Sequence, residues 1–415
     1  MNGLGLLILT ALVLNTALSL LADILNLTSL SPVLPKAFDG WYEPSEYARS
    51  QSYLRVNTRF GWVVSLFDLS VLLIFWFGGG FAWLDEWVRG FGYSTLPSGL
   101  FYIGVLIALK TILDLPFGLF ATFVIEARFG FNKTTWQTWL LDKLKTLLLG
   151  LLIGVPLLTV VLLFFIHAGG NAWWYCWLVT VGVMLLMHYV APTWIMPLFN
   201  RFNPLPEGEL RTAITTYAES IGFRLDNIFV MDGSKRSSKA NAFFTGFGKY
   251  RRIVLYDTLI EKHSVEELVA VLAHEMGHFK QRHILKMMLI GIAQAGVMFY
   301  VLSLFISYPG LFHAFYVQDV SVYVGLVLFG LLYAPLDMVM GIIVQQLSRR
   351  HEYEADRFAV DTGPNRGRAL ATALKRLSVD SLANLQPHPF FVFLNYSHPP
   401  VLERIRAIGA ASSPE

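Results

Sequence analysis

Seven stretches of this chain are long and apolar enough to cross a bilayer: 3–25, 60–84, 99–125, 145–167, 172–196, 284–308 and 321–346. A spanning helix needs about 20 mostly apolar residues to cross ~30 Å of hydrocarbon. The composition agrees. Of 415 residues 55% are hydrophobic and only 15% charged, where a soluble domain carries roughly 25% charged residues. Disorder, collagen-like repeats and a disulfide scaffold are excluded on the same grounds. The lone Cys176 can form neither an intramolecular bridge nor a Cys-rich zinc site. The first stretch lacks a basic region before it, Lys36 being the first Lys or Arg. Its apolar run is also too long for a signal peptide, so it reads as a retained span.

Lysine and arginine set the expected orientation. Lys36, Arg49, Arg55 and Arg59 follow the first span, and Arg128, Lys133, Lys143 and Lys145 follow the third. The alternate connections are poor: Arg89 alone in 85–98, and none in 168–171 or 309–320. The positive-inside rule then puts the amino terminus outside and the carboxyl terminus in the cytoplasm. Asp68, Lys110, Asp114, His188 and Asp337 lie within spans. Lys110 and Asp114 share a helical face, which fits either a neutralised pair between packed helices or a wet cavity inside the bundle.

Four parts follow: 1–196 with five spans, a cytoplasmic α/β segment 197–283, two further spans in 284–346, and a cytoplasmic tail 347–415. In the α/β segment, Leu210, Ala213, Ile214 and Tyr217 predict an amphipathic helix over 207–222. Asn227 to Met231, Asn241 to Phe244 and Arg252 to Tyr256 predict strands. Ser264 to Glu267 form a capping-box pattern opening a helix to about Arg282. The tail should begin helical, break near Gly363-Pro364, resume over 367–378 and close with a helix after Pro400.

Inside the capped helix stands His274-Glu275-Met276-Gly277-His278. Histidines at i and i+4 project from one face and can share one metal ion, and zinc suits such ligands. Glu275 is next to that ion without binding it, placed to take a proton from water whose pKa the ion lowers. A catalytic zinc keeps three protein ligands and one open position. The third is expected from Glu352-Tyr353-Glu354-Ala355-Asp356. Glu352 and Asp356 share a face, so Glu352 can bind while Asp356 fixes a histidine tautomer. Glu354 points away. His283 fails on spacing, since an HExxHxxGxxH pattern wants glycine at 281 and histidine at 284, where this chain has Gln281 and Ile284. His351 is expected to be solvated.

HEMGH with EYEAD, seven spans, and Ser397-His398-Pro399-Pro400 followed by Glu403-Arg404 closely resemble the type I CAAX prenyl endopeptidases, integral-membrane gluzincins. Phe129 to Lys133 and Asn241 to Phe243 extend the resemblance over essentially the whole chain. It implies a mainly α, polytopic fold in which seven helices enclose a chamber, with a metalloprotease domain on the cytoplasmic side. It also implies one Zn2+ per chain near the cytoplasmic end, with Asn241, Ala242 and Phe243 forming a substrate-binding edge strand. His398 and Arg404 match positions near the metal, the first suited to an oxyanion and the second to a carboxylate of the site or of the substrate. The expected activity is zinc-dependent removal of the aaX tripeptide from prenylated CAAX substrates. A heat-shock-type quality-control protease is the alternative, and a seven-helix receptor or transporter a further one. Expected partners are a peptide or lipidated peptide and the lipid bilayer, not nucleic acid, with the chain as a monomer. Ala411 to Glu415 carry no dilysine-like retrieval signal and the chain is compact. A bacterial inner membrane is therefore favoured, with the endoplasmic reticulum membrane as the eukaryotic alternative.

Overall fold

A computed structural model describes residues 2–412 except 224, 226, 246–251 and 364. Seven helices among the described residues are long and apolar enough to span: α1 (Gly3–Thr28), α2 (Pro44–Phe77), α3 (Thr95–Glu126), α4 (Trp136–His167) and α5 (Gly169–Phe199), then His283–Phe305 and Val322–Asp361. Between the fifth and sixth lie α6 (Glu209–Ser220) and α7 (Val265–Lys280). The sixth and seventh spans are α8 and α9, followed by α10 (Arg366–Asp380) and α11 (Val401–Ser412).

Three spans differ from their hydropathy boundaries for identifiable reasons; α4 starts at Trp136 instead of 145, its opening turns carrying Asp142, Lys143 and Lys145. The first turns of α2 carry Arg49, Arg55 and Arg59, so the helix continues out of the apolar window as a polar extension. It ends at Gly78, before Gly79 turns left-handed at φ 72. The seventh span and the tail helix are one continuous 40-residue helix, α9, so residue 346 falls mid-helix. Pro156 and Pro192 adjoin or lie within π-helical turns, Gly150–Gly154 and Ala191–Ile195, where a widened turn accommodates the missing N–H.

The spans bury almost nothing at their centres. No residue is buried over 9–21, 52–75, 104–124, 136–160, 177–199, 284–298 or 330–350. The buried side chains gather instead at two ends. One cluster includes Ile8, Trp76, Tyr102, Leu162, Cys176, Leu302 and Val324, where α1, α3, α5 and α9 begin. The other includes Ile214, Ile253, Leu272, Met276 and Ala359 around α7. The bundle is thus packed at both ends and hollow between. Lys110 lies 3.0 Å from Asp68 and 2.5 Å from Asp114, yet all three side chains are between 37% and 54% exposed. Charges this open within spans call for water rather than hydrocarbon, which agrees with the hollow middle.

A four-stranded sheet sits at the α7 end: β1 (Phe202–Pro204), β2 (Asn227–Met231), β3 (Ala242–Thr245) and β4 (Arg252–Tyr256), ordered β1-β2-β4-β3. β2 and β4 are parallel, and the other pairs antiparallel. β3 is therefore an edge strand. Its lead-in is stitched to the loop after α3: Ser238 N–H donates to the Phe131 carbonyl, and Lys239 pairs with Glu126 at 3.0 Å while lying 4.4 Å over the Phe131 ring. β1 was not legible in the sequence, because Phe202-Asn203-Pro204 is too short to carry a period. Gly363 lies past the end of α9 as expected; Pro364 is outside the described residues.

Candidate metal centre and active site

Ser264 opens α7 with a complete capping box, its hydroxyl accepting from Glu267 N–H while Glu267 accepts from Ser264 N–H. Gly277 lets this helix approach α9 closely: a Cβ there would lie 3.2 Å from the Ala355 Cα and carbonyl oxygen. The approach brings Glu352 to the two histidines. His278 Nε2 is 3.1 Å from His274 Nε2 and 3.3 Å from Glu352 Oε1, and His274 Nε2 is 3.5 Å from Glu352 Oε2. A tetrahedral ion with bonds of roughly 2.0–2.1 Å separates its ligand atoms by about 3.3 Å. Glu352 Oε2 is buried without a hydrogen-bond donor among the described residues. The donor set therefore fits one such ion.

Asp356 and Arg404 support it. His274 Nδ1 lies 2.8 Å from Asp356 Oδ1. Arg404 grips the same carboxylate with two bonds, 2.8 and 2.7 Å, and approaches Glu352 Oε2 at 3.3 Å. Arg404 is buried and, among the described residues, pairs with the site's own carboxylates. His398 Nε2 lies 3.4 Å from Glu352 Oε1 on an exposed side chain.

Removal from water raises the Glu275 carboxyl above its usual range, opposed by the neighbouring His274 and His278. For His274, burial disfavours the imidazolium, but bonds to Asp356 and Glu352 outweigh it and raise the pKa to about 9 in the metal-free site. Metal ligation needs neutral imidazole. Below about pH 9 an incoming ion must displace this proton. Apparent affinity should then climb about tenfold per pH unit from neutrality to about pH 9 and level off above it, where an ordinary histidine would level off near pH 6.5. Titration against a competing chelator between pH 7 and 10 checks the slope.

His274, Glu275, His278, Glu352, His398 and Arg404 line a cavity of about 350 Å³. Asn241 and Ala242 form part of one wall, and Leu259, Leu370, Leu374 and Leu377 are among its apolar lining. Phe243 does not line it. Strand alternation turns it towards Pro192, Met196 and Phe229, 6.3 Å from the Tyr256 ring.

One histidine contradicts its sequence reading. His351 is buried, stacked on His283 at 4.0 Å and 11°, because the unbroken α9 carries it against the start of α8. The sequence reading left His283 out of the metal site. It nonetheless touches His278, Nδ1 to Nδ1 at 3.0 Å, and its Nε2 meets Glu354 Oε2 at 3.0 Å. Spacing could not reveal this. A residue at i+5 leaves the histidine face of a continuous helix, but Arg282, left-handed at φ 58, turns the chain between α7 and α8.

Such a donor set at one end of a hollow helical bundle defines a membrane-embedded metallopeptidase. Residues 23–201 match the family described as CAAX prenyl protease N-terminal, five membrane helices, and residues 204–412 match peptidase family M48. CAAX prenyl protease 1 of Saccharomyces cerevisiae is 33% identical, covering 94% of this chain and 90% of the yeast protein. The human CAAX prenyl protease 1 homolog is 34% identical over 77% of this chain and 75% of its own. A crystal structure of S. mikatae Ste24p superposes with a TM-score of 0.92 at 30% identity, covering 98% of this chain and 99% of that one. The chain belongs to peptidase family M48, among the CAAX prenyl protease 1 proteins. These relatives are eukaryotic, which lends the bacterial expectation no support.

Proposed function

We propose that this enzyme holds one zinc ion on His274, His278 and Glu352 and removes the aaX tripeptide from prenylated CAAX-type peptides at the cytoplasmic face. The observation that carries the reading is the cavity itself, where the donor set, Glu275 and the lead-in to an edge strand share one space with apolar walls. The names of its relatives supply the substrate class.

When bound, zinc supplies Lewis acidity, polarising the scissile carbonyl and acidifying a water. β3 offers backbone amides to an extended peptide, as edge strands do. The leucine-lined wall suits the aliphatic residues after the cysteine. Glu275 accepts the proton of the attacking water and passes it to the leaving amine. Asp356 and Arg404 hold His274 in one tautomer. His398 donates to the oxygen that gains charge. If so, His398→Phe should lower kcat by roughly 10²–10³, with KM, zinc content and melting temperature little changed. A phenylalanine variant with wild-type kcat would end that role.

The test of substrate class is cleavage of a farnesylated CAAX peptide against the same peptide without lipid, each with and without chelator. The reading expects chelator-sensitive cleavage that is much faster with the lipid. Equal rates would sink the prenyl half of the proposal.

A further inference from the structure

We propose that His283, held by Glu354, is a positioning residue for the metal ligand His278; the inference rests on the zinc site proposed above. A ligating histidine almost always donates its remaining ring N–H to an outer partner, which fixes its tautomer and orientation. His274 has Asp356 for this, at 2.8 Å. Among the described residues no carboxylate faces His278 on that side; its Nδ1 meets the Nδ1 of His283 at 3.0 Å.

The proton count permits one arrangement. With Nε2 of His278 turned to the metal, its proton lies on Nδ1 and is donated. The His283 Nδ1 must then be a lone pair, which puts the His283 proton on Nε2. That nitrogen lies 3.0 Å from Glu354 Oε2, an acceptor. Glu354 is itself held by Arg350 Nε at 3.0 Å. A chain of donors thus runs from the metal ligand through a neutral imidazole to a carboxylate.

Packing holds the relay in place. His283 is 2% exposed, and the His351 ring lies parallel to it at 4.0 Å and 11°, which resists ring rotation. A second ion shared by His283, His351 and Glu354 fits less well. In-plane lone pairs on stacked rings run parallel instead of converging, and both His283 nitrogens are already engaged.

The test uses the full-length chain and three variants. His283→Phe keeps bulk and the ring stack but cannot accept. His283→Asn places an amide oxygen near the former Nδ1. Glu354→Leu removes the terminal acceptor. Zinc affinity is read by chelator competition, alongside kcat, KM and the melting temperature of the metal-free protein. We expect His283→Phe to bind zinc roughly 10- to 100-fold more weakly and to lose kcat, with KM and the metal-free melting temperature near the parent's. His283→Asn should recover most of both losses, and Glu354→Leu should weaken zinc binding in the same direction. Parent-like zinc affinity in His283→Phe would overturn the proposal, and in Glu354→Leu would remove Glu354 from it. Equal losses in the Phe and Asn variants, with a lowered metal-free melting temperature, would overturn it in favour of packing. A parent protein that binds no zinc would instead refute the zinc site and this inference with it.

Discussion

Glu275→Gln should leave the metal in place and reduce turnover by about 10²–10⁴, the usual contribution of a positioned general base. Glu275 is flanked by the two histidines on α7 but is not one of the three converging donors. The amide preserves its shape and cannot take a proton from water. The histidine positions are set by the capping box and by the approach of α9 at Gly277, neither of which the substitution touches. Zinc content, KM and melting temperature should stay near the parent's values. Near-normal turnover with zinc bound would place the base elsewhere.

Glu352→Ala should fail in a different way, losing zinc and activity together. The carboxylate is buried and converges with the two imidazoles, 3.3 and 3.5 Å from their ring nitrogens. Without it only two imidazoles remain, and the site loses the negative charge that offsets the ion, while Arg404 stays paired with Asp356. Activity should fall below detection at ordinary zinc concentrations. Full zinc occupancy in Glu352→Ala would remove this residue from the donor set.

Much of this architecture was legible because its signals are local or periodic. The spans follow from hydropathy, α7 from Ser264 and Glu267, and the strands from Asn227–Met231 and Arg252–Tyr256. The donor set was legible because i and i+4 project together from a helix, twice: His274 with His278, and Glu352 with Asp356. What escaped depends on contacts between elements. Arg49, Arg55 and Arg59 mask four helical turns from a hydropathy window. His283 lies beyond a left-handed turn at Arg282, and His351 is buried because α8 covers it. Phe243 stays in the edge strand, but alternation turns its side chain to the face opposite Ala242, so only its backbone is on the substrate-binding edge expected from the sequence.

If zinc on His274, His278 and Glu352 makes this chain a peptidase, metal and activity must move together. Zinc content and cleavage of a farnesylated CAAX peptide can be followed in one sample through a chelator titration, then through re-addition of zinc. The expected result is about one zinc per chain at the start, parallel loss of metal and cleavage, and parallel return. Undiminished cleavage by protein stripped of zinc would contradict it.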